Sequence, residues 1–428
     1  MPLANALFSS VSGLDTTSTA ISVIGDNIAN VNTTGFKARR AEFSNVLGQS
    51  ITASGGFSAL GAGAKLSRVS TSFTQGTFES TGRGTDLALE GQGFFIVNGA
   101  QGRHYTRSGV FSVDNQGVLV NPEGLRVQGF GIDPITQLSN GQIGDIVLSN
   151  ALSPPQATGQ IDLSANIDAG SQIFPAFDPA NPSTSSSFNT GVTVFDSLGG
   201  PHLASVYFTR TGAGNWDWTA TLPSTETTIP PVPGASIAVQ GSGTLSFDTS
   251  GNLTGVTGNN FTLEFAGGAA PGQAVNLNFG PIAGIGTGSP TTSYDQQSNV
   301  NSVNQDGFSA GTMQSLNVDQ QGFVTGQFSN GETLSLAQLA LATFPNVEGL
   351  QSIGSNNLIE SRGSGQPLIG TAGSGSFGSV RSGNLEQSTV DLAGEFVKLI
   401  VNQRAFQANT RTVSVTNELM ANLVSLGQ

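Results

Sequence analysis

The side chains best suited to proton transfer and metal ligation near neutral pH are scarce in this sequence. There are two histidines, His104 and His202, set far apart, and no cysteine. The missing cysteine removes disulfides, thiolate metal sites and thiol nucleophiles together. Each histidine reads as an ordinary strand or surface residue rather than a base or ligand. Neither a Gly-x-Ser-x-Gly elbow opening a helix nor a phosphate-cradling Gly-x-x-x-x-Gly-Lys-Ser/Thr loop occurs. Gly84-Thr85-Asp86 has no nucleophile-and-base partner, and the pair Gly91 and Gly93 carries little weight in a chain of 58 glycines. Two carboxylates could serve a glycosidase, so a secreted, β-rich glycan hydrolase is the most credible enzymatic reading. Such enzymes line their grooves with aromatic residues, yet this chain has two Trp and three Tyr. Trp216 and Trp218 alternate along a strand, with Asp217 between them on the opposite face. The expectation is a chain with no catalytic residue, no cofactor and no metal.

One local pattern recurs four times: an apolar residue, Asp, two variable residues and Gly. It stands at Val113-Asp114…Gly117, Phe195-Asp196…Gly199, Phe247-Asp248…Gly251 and Val318-Asp319…Gly322. Asp favours the first position of a type I turn because its side chain bonds to the backbone ahead, and Gly supplies the positive φ that closes a bulged hairpin. A calcium loop would need further carboxylates, which none of the four has. The spacing predicts four hairpin turns, at intervals too unequal for a solenoid.

The elements around these turns are β in the middle of the chain and helical at its ends. Phe94-Phe95-Ile96-Val97, Gly191–Phe195 and Ala204–Phe208 are short apolar or alternating runs bounded by turn residues. In contrast, Leu7, Leu14, Ile21 and Ile28 repeat every seven residues near the start. Leu392, Leu399, Phe406, Val413 and Met420 do so near the end, the spacing of a coiled-coil seam. Companion positions of the second stripe are mixed: Phe396, Gln403, Thr410, Asn417 and Val424. Asn30, Asn32 and Gly35 read as a helix stop, and Ser388 or Asp391 as the N-cap of the second helix. Gly- and Ser-rich stretches at about 48–64 and 361–379 read as tethers. A helix so tethered has no local core, so it must pair with the opposite terminus, with other chains, or both.

The fold expected is mainly β with terminal α-helices, in which nested β domains are joined to N- and C-terminal helices forming a coiled-coil-like inner domain. The expected divisions are an N-terminal helix at 1–36, a linker at 37–75 and a first part of a β domain at 76–149. An inserted outer β domain at 150–305 follows, then the second part of the first at 306–370, and a linker with the C-terminal helix at 371–428. Only 10% of residues are charged, against 37% hydrophobic, and mean hydropathy is −0.01, a composition for a polar-surfaced β protein rather than a disordered one. The net charge of −13 argues against nucleic acid or an anionic membrane as partner. No run reaches the roughly 18 apolar residues of a membrane span. The start of the chain does not read as a cleaved signal either, since its first basic residue is Lys37.

Four blocks in order resemble the axial rod and hook proteins of the bacterial flagellum. Residues 12–37 (SGLDTTSTAISVIGDNIANVNTTGFK) look like that family's N-terminal signature, with Asn27, Asn30, Asn32, Gly35 and Phe36 in its core. Residues 76–97 (GTFESTGRGTDLALEGQGFFIV) match its Gly-x-Gly-Phe-Phe block at Gly93, Phe94 and Phe95, and Tyr105-Thr106-Arg107-Ser108-Gly109 matches the strand pair that follows. Residues 384–409 resemble the C-terminal signature through Gln403, Arg404, Gln407 and Asn409, with Phe406 where Tyr is common. Rod proteins of the family are shorter, and residues 188–218 and 306–350 look like parts found in hook subunits, so hook is expected over distal rod. The resemblance implies a helical homopolymer, a curved, flexible tube that transmits torque, exported to the cell exterior without a cleaved signal. The implied partners are further copies of the chain, rod, hook-cap and hook-filament junction proteins, and the flagellar export apparatus. The self-assembly seam would be Leu7, Leu14, Ile21, Ile28, Leu392, Phe396, Leu399, Phe406, Val413 and Met420.

Overall fold

In the computed structural model, which describes residues 2–53, 56–133, 136–148, 152–282 and 288–426, all four Asp-x-x-Gly segments close hairpins. In each, the Asp carboxylate accepts the backbone N–H four residues ahead, from Val118, Gly200, Asn252 and Phe323, at 2.8 Å. The glycine N–H returns to the Asp carbonyl at 3.0–3.1 Å. Gly117, Gly199, Gly251 and Gly322 hold φ of 72°, 83°, 78° and 80°, a conformation only glycine adopts without strain.

The chain forms two units. The first comprises Met1–Ala151, Ser315–Gln327 and Thr333–Gln428; the second, inserted unit comprises Leu152–Gln314 and Phe328–Glu332. In the inserted unit, Phe188–Phe195, Pro201–Gly212, Asn215–Pro223, Ile237–Phe247 and Leu253–Val256 form a five-stranded antiparallel meander. A four-stranded sheet runs Asn260–Leu263, Gln273–Asn278, Gln160–Asn166, Asn299–Gln305, with the middle pair parallel. One core joins both sheets: Phe279 lies 5.7 Å from Trp218 and 6.0 Å from Phe208. Trp216 and Trp218 point into it, and Asp217 lies on the other face.

In the first unit, Phe94–Gly99 and Gly102–Thr106 form a hairpin, joined in one sheet with Arg126–Ile132 and Thr333–Thr343. Phe94, Tyr105 and Phe344 pack edge to face in its core, Tyr105 to Phe344 at 4.8 Å. Two short ladders, Phe78–Ser80 with Asn384–Glu386 and Leu87–Glu90 with Ser379–Ser382, run the two chain ends antiparallel. Beyond them stand helices at Pro2–Ala29 and Leu392–Leu426. The first ends where Asn30 begins a turn that Gly35, at φ 71°, completes. Asp391 caps the second, accepting from Ala393 N at 3.1 Å, whereas Ser388 takes the N–H of Val390 in the preceding turn. Among the described residues, no helix is long and apolar enough to cross a membrane.

The expectation of tethers is corrected. Within 37–75, Arg39–Ala53 pairs antiparallel with Gly56–Thr71 through several bulges. This hairpin lies against the N-terminal helix, with Ala64 N donating to Ser12 Oγ at 3.2 Å. At Gly63 the space a Cβ would need is filled by Ser12 Oγ. Small residues read in sequence as looseness are here what allows a strand to lie directly on a helix. The stretch 361–379 likewise holds a strand, Leu368–Thr371, paired with Ala340–Thr343.

Candidate assembly surface

Where the terminal helices begin and end, four chain segments converge on one buried carboxylate. Glu386, fully buried, accepts on Oε1 from Lys37 Nζ at 2.6 Å, Gln75 Nε2 at 2.8 Å and Gly76 N at 2.8 Å. Lys37 Nζ also donates to Thr74 O at 2.7 Å. Arg107, 3.6 Å from Glu386 Oε2, donates to Gly91 O at 2.7 Å and lies over the Phe94 ring. Burial pulls the Lys37 amine below the usual lysine range, against the opposing pull of Glu386, and acts on Arg107 in the same direction. The Glu386 carbonyl takes the N–H of Gly35 at 2.8 Å.

A second junction lies between the helices themselves. Asn27 Oδ1 accepts from Arg39 N at 2.9 Å, while its Nδ2 donates to Arg39 O at 2.8 Å and to Glu395 Oε2 at 3.3 Å. Lys398 holds the other Glu395 oxygen at 2.7 Å. Asn27 and Glu395 are both buried, so this polar set fixes the end of one helix to the start of the other.

Along the pair, the most buried positions are small or polar, with Ile24 the one large apolar residue among them. They are Ser10, Thr16, Ala20, Ile24 and Asn27 on the first helix, with Glu395 and Thr416 on the second. Asn402 and Asn409 are half-buried, and Asn409 fills the space beside Gly13. Residues 395, 402, 409 and 416 repeat every seven, three positions later than the apolar stripe. The hydroxyls need no partner across the seam: Ser10 donates to Ala6 O at 2.8 Å, Thr16 to Ser12 O at 3.0 Å and Thr416 to Thr412 O at 2.8 Å.

The apolar stripe flanks this seam. Leu7, Leu14, Ile21, Ile28, Leu399 and Val413 are half-buried, and Leu392, Phe396, Phe406 and Met420 are exposed. Exposed with them are Phe8 and Val11 on the first helix, Val397, Ile400, Val401, Val415 and Leu419 on the second, and Phe43, Leu66 and Val69 on the hairpin. Such a concentration of bare apolar side chains makes this face a candidate for association.

Of the signature residues, Phe36, Phe94 and Phe95 are core, and Gly93 has φ 128°. Asn30 bonds back to Asp26 at 2.9 Å, Asn32 is exposed, and Gln403, Arg404 and Gln407 face outward. The sequence reading missed Glu386, Arg107 and Glu395 as a set, although each lies inside a matched block. His202 sits between Asp196 and Glu226, at 3.2 and 3.0 Å, while His104 is buried elsewhere. Among the described residues, no group of three or more His, Cys, Asp or Glu is placed to hold a metal.

Four family models match the chain in order. The flagella basal body rod protein model covers 7–37, and the flagellar hook protein FlgE/F/G D1 domain covers 88–166. The flagellar basal body protein FlaE D2 domain covers 160–308, and the flagellar basal body rod FlgEFG protein C-terminal model covers 381–426. Terminal helices around nested β units with these matches define an axial protein of the flagellum. The flagellar hook protein FlgE of Treponema pallidum is 33% identical over 98% of this chain and 99% of that protein. For that of Escherichia coli the values are 35%, 98% and 100%, and for Rhizobium meliloti 31%, 100% and 100%. The chain belongs to the flagellar hook protein FlgE family, a family of structural proteins and not of enzymes.

Proposed function

We propose that this chain is the hook subunit of a flagellum and polymerises into a curved tube through its terminal helices and the adjoining hairpin. One observation carries the reading. The two helices spend their small and polar faces on each other and leave Phe396, Val397, Ile400 and Val401 exposed by about half or more. Covering a Phe or Ile side chain contributes roughly 1.5–3 kcal/mol, so several such positions per subunit are enough to drive assembly. The division expected from sequence is part of this reading: an inner domain of the N-terminal helix at 1–36 and the linker with the C-terminal helix at 371–428, a β domain at 76–149 and 306–370, and an outer domain at 150–305. Rod, hook-cap and hook-filament junction proteins would meet the ends of the tube. The chain would leave the cell through the flagellar export apparatus before its helices pair, and the tube would pass motor torque to the filament. Electron microscopy of the purified chain under polymerising conditions tests the reading: curved tubes are expected, and a subunit that stays monomeric at all concentrations would overturn it.

A further inference from the structure

Charge is divided between the two units far more unequally than length. The inserted unit holds eleven carboxylates and a single arginine, a net charge of −10 out of the chain's −13. Fourteen of the fifteen Lys and Arg residues lie in the other unit. The lone Arg210 is engaged internally, donating to Ser171 O at 2.6 Å. Among the described residues, the carboxylates of the inserted unit make no pair with Lys or Arg, and His202 is their one ionic neighbour. Several spend their charge on hairpin backbone, but among the described residues the carboxylates of Asp217, Glu264, Asp295 and Glu332 accept no hydrogen bond from the chain. The sandwich is therefore strongly and almost uniformly acidic, and among the described residues no Lys or Arg pairs with its carboxylates.

In a homopolymer every copy presents the same unit to its neighbours. We propose that the inserted unit is an electrostatic spacer: copies repel one another in the polymer, and small ions set how closely they approach. This rests on the polymer reading. The repulsion would keep sandwich faces from sticking while the helices hold the tube, leaving these units free to shift as the tube bends. The range is that of ionic screening, about 30 Å at 10 mM salt and about 10 Å at 100 mM.

The test is the concentration needed for polymer to pellet, measured for the full chain from about 10 to about 500 mM NaCl. It is repeated for a variant carrying Asp217→Asn, Glu264→Gln, Asp295→Asn and Glu332→Gln. That variant lowers the unit's charge from −10 to −6, and the product of charges between two copies to roughly a third. Trp216 and Trp218, both in the inserted unit and buried, report by fluorescence that it still folds. The expected result is a severalfold fall in this concentration with salt for the unmodified chain and less than half that change, on a logarithmic scale, for the variant. MgCl2 at matched ionic strength should act like NaCl. Equal salt dependence in the two chains overturns the spacer, as does a magnesium effect far beyond ionic strength, which would mean a bound cation. Failure of both chains to polymerise at any salt overturns the polymer reading itself and the spacer with it.

Discussion

Phe208, Trp216, Trp218 and Phe279 in the inserted unit are at most 1% exposed, whereas Phe396, Ile400 and Val401 on the C-terminal helix are 49, 50 and 59% exposed. The sandwich completes its core within one chain, because two sheets face each other and aromatic rings reach across. The helix pair does not, because the faces it turns inward are mostly Ser, Thr, Ala and Asn, with Ile24 the one large apolar residue among the buried positions. One region is finished on folding and, on the proposed polymer reading, the other only on association, so perturbations of the two should separate cleanly.

The largest expected separation comes from Glu386→Ala, which strands Lys37 and Arg107 in a buried site. Leaving buried charges unpaired costs about 3–5 kcal/mol. Thermal unfolding followed by circular dichroism should show the first unit melting earlier, while the tryptophan transition of the inserted unit stays in place. A matching shift in the tryptophan signal would mean the units do not fold independently. Next, Ile400→Asp should leave both units folded and raise the concentration needed for polymer. With about 2 kcal/mol lost per contact, that is roughly thirtyfold by sedimentation. No change would remove this face from the assembly surface.

A smaller effect, of the opposite selectivity, is expected at a hairpin turn. Gly199→Ala places a Cβ at φ 83° and within 2.7 Å of Pro155 Cβ, so the inserted unit should lose at least about 1 kcal/mol in a tryptophan-monitored denaturant titration. The smallest concerns Tyr105, which donates to Glu360 Oε2 at 3.1 Å. Burial, aided by that carboxylate, pushes its phenol up to about 12. Its folded pKa is raised, so the folded state holds the proton longer than the unfolded chain, and stability falls as pH rises from about 10. Absorbance near 295 nm should show one of the three tyrosines titrating late, and Tyr105→Phe should remove that late step.

The turns and helix ends were legible in sequence because their causes are local. Asp248 and Gly251 specify their own turn, and Asp391 lies two residues from the N–H it caps. The pairing of Lys37 with Glu386 was not, since the partners stand 349 residues apart and share no periodicity. Glycine and serine make the stretch 48–64 look like a tether in sequence, when at Gly63 the missing side chain is the condition for packing. On the C-terminal helix the positions buried or half-buried in the single chain, 395, 402, 409 and 416, stand three residues after the apolar heptad. Counting apolar residues overlooks Thr416, whose hydroxyl is satisfied by its own helix and so can be buried at little cost. That offset is informative, because the stripe visible in sequence is the one the single chain leaves largely uncovered.

The absence of native cysteine permits a direct measurement of this uncovered stripe. Ile400→Cys and, as reference, Asp295→Cys chains can be labelled with a thiol reagent as free subunits and after assembly. Both should label readily as subunits, and in the polymer position 400 should become protected while position 295 does not. Equal labelling of position 400 in subunit and polymer would contradict the proposed assembly through this stripe.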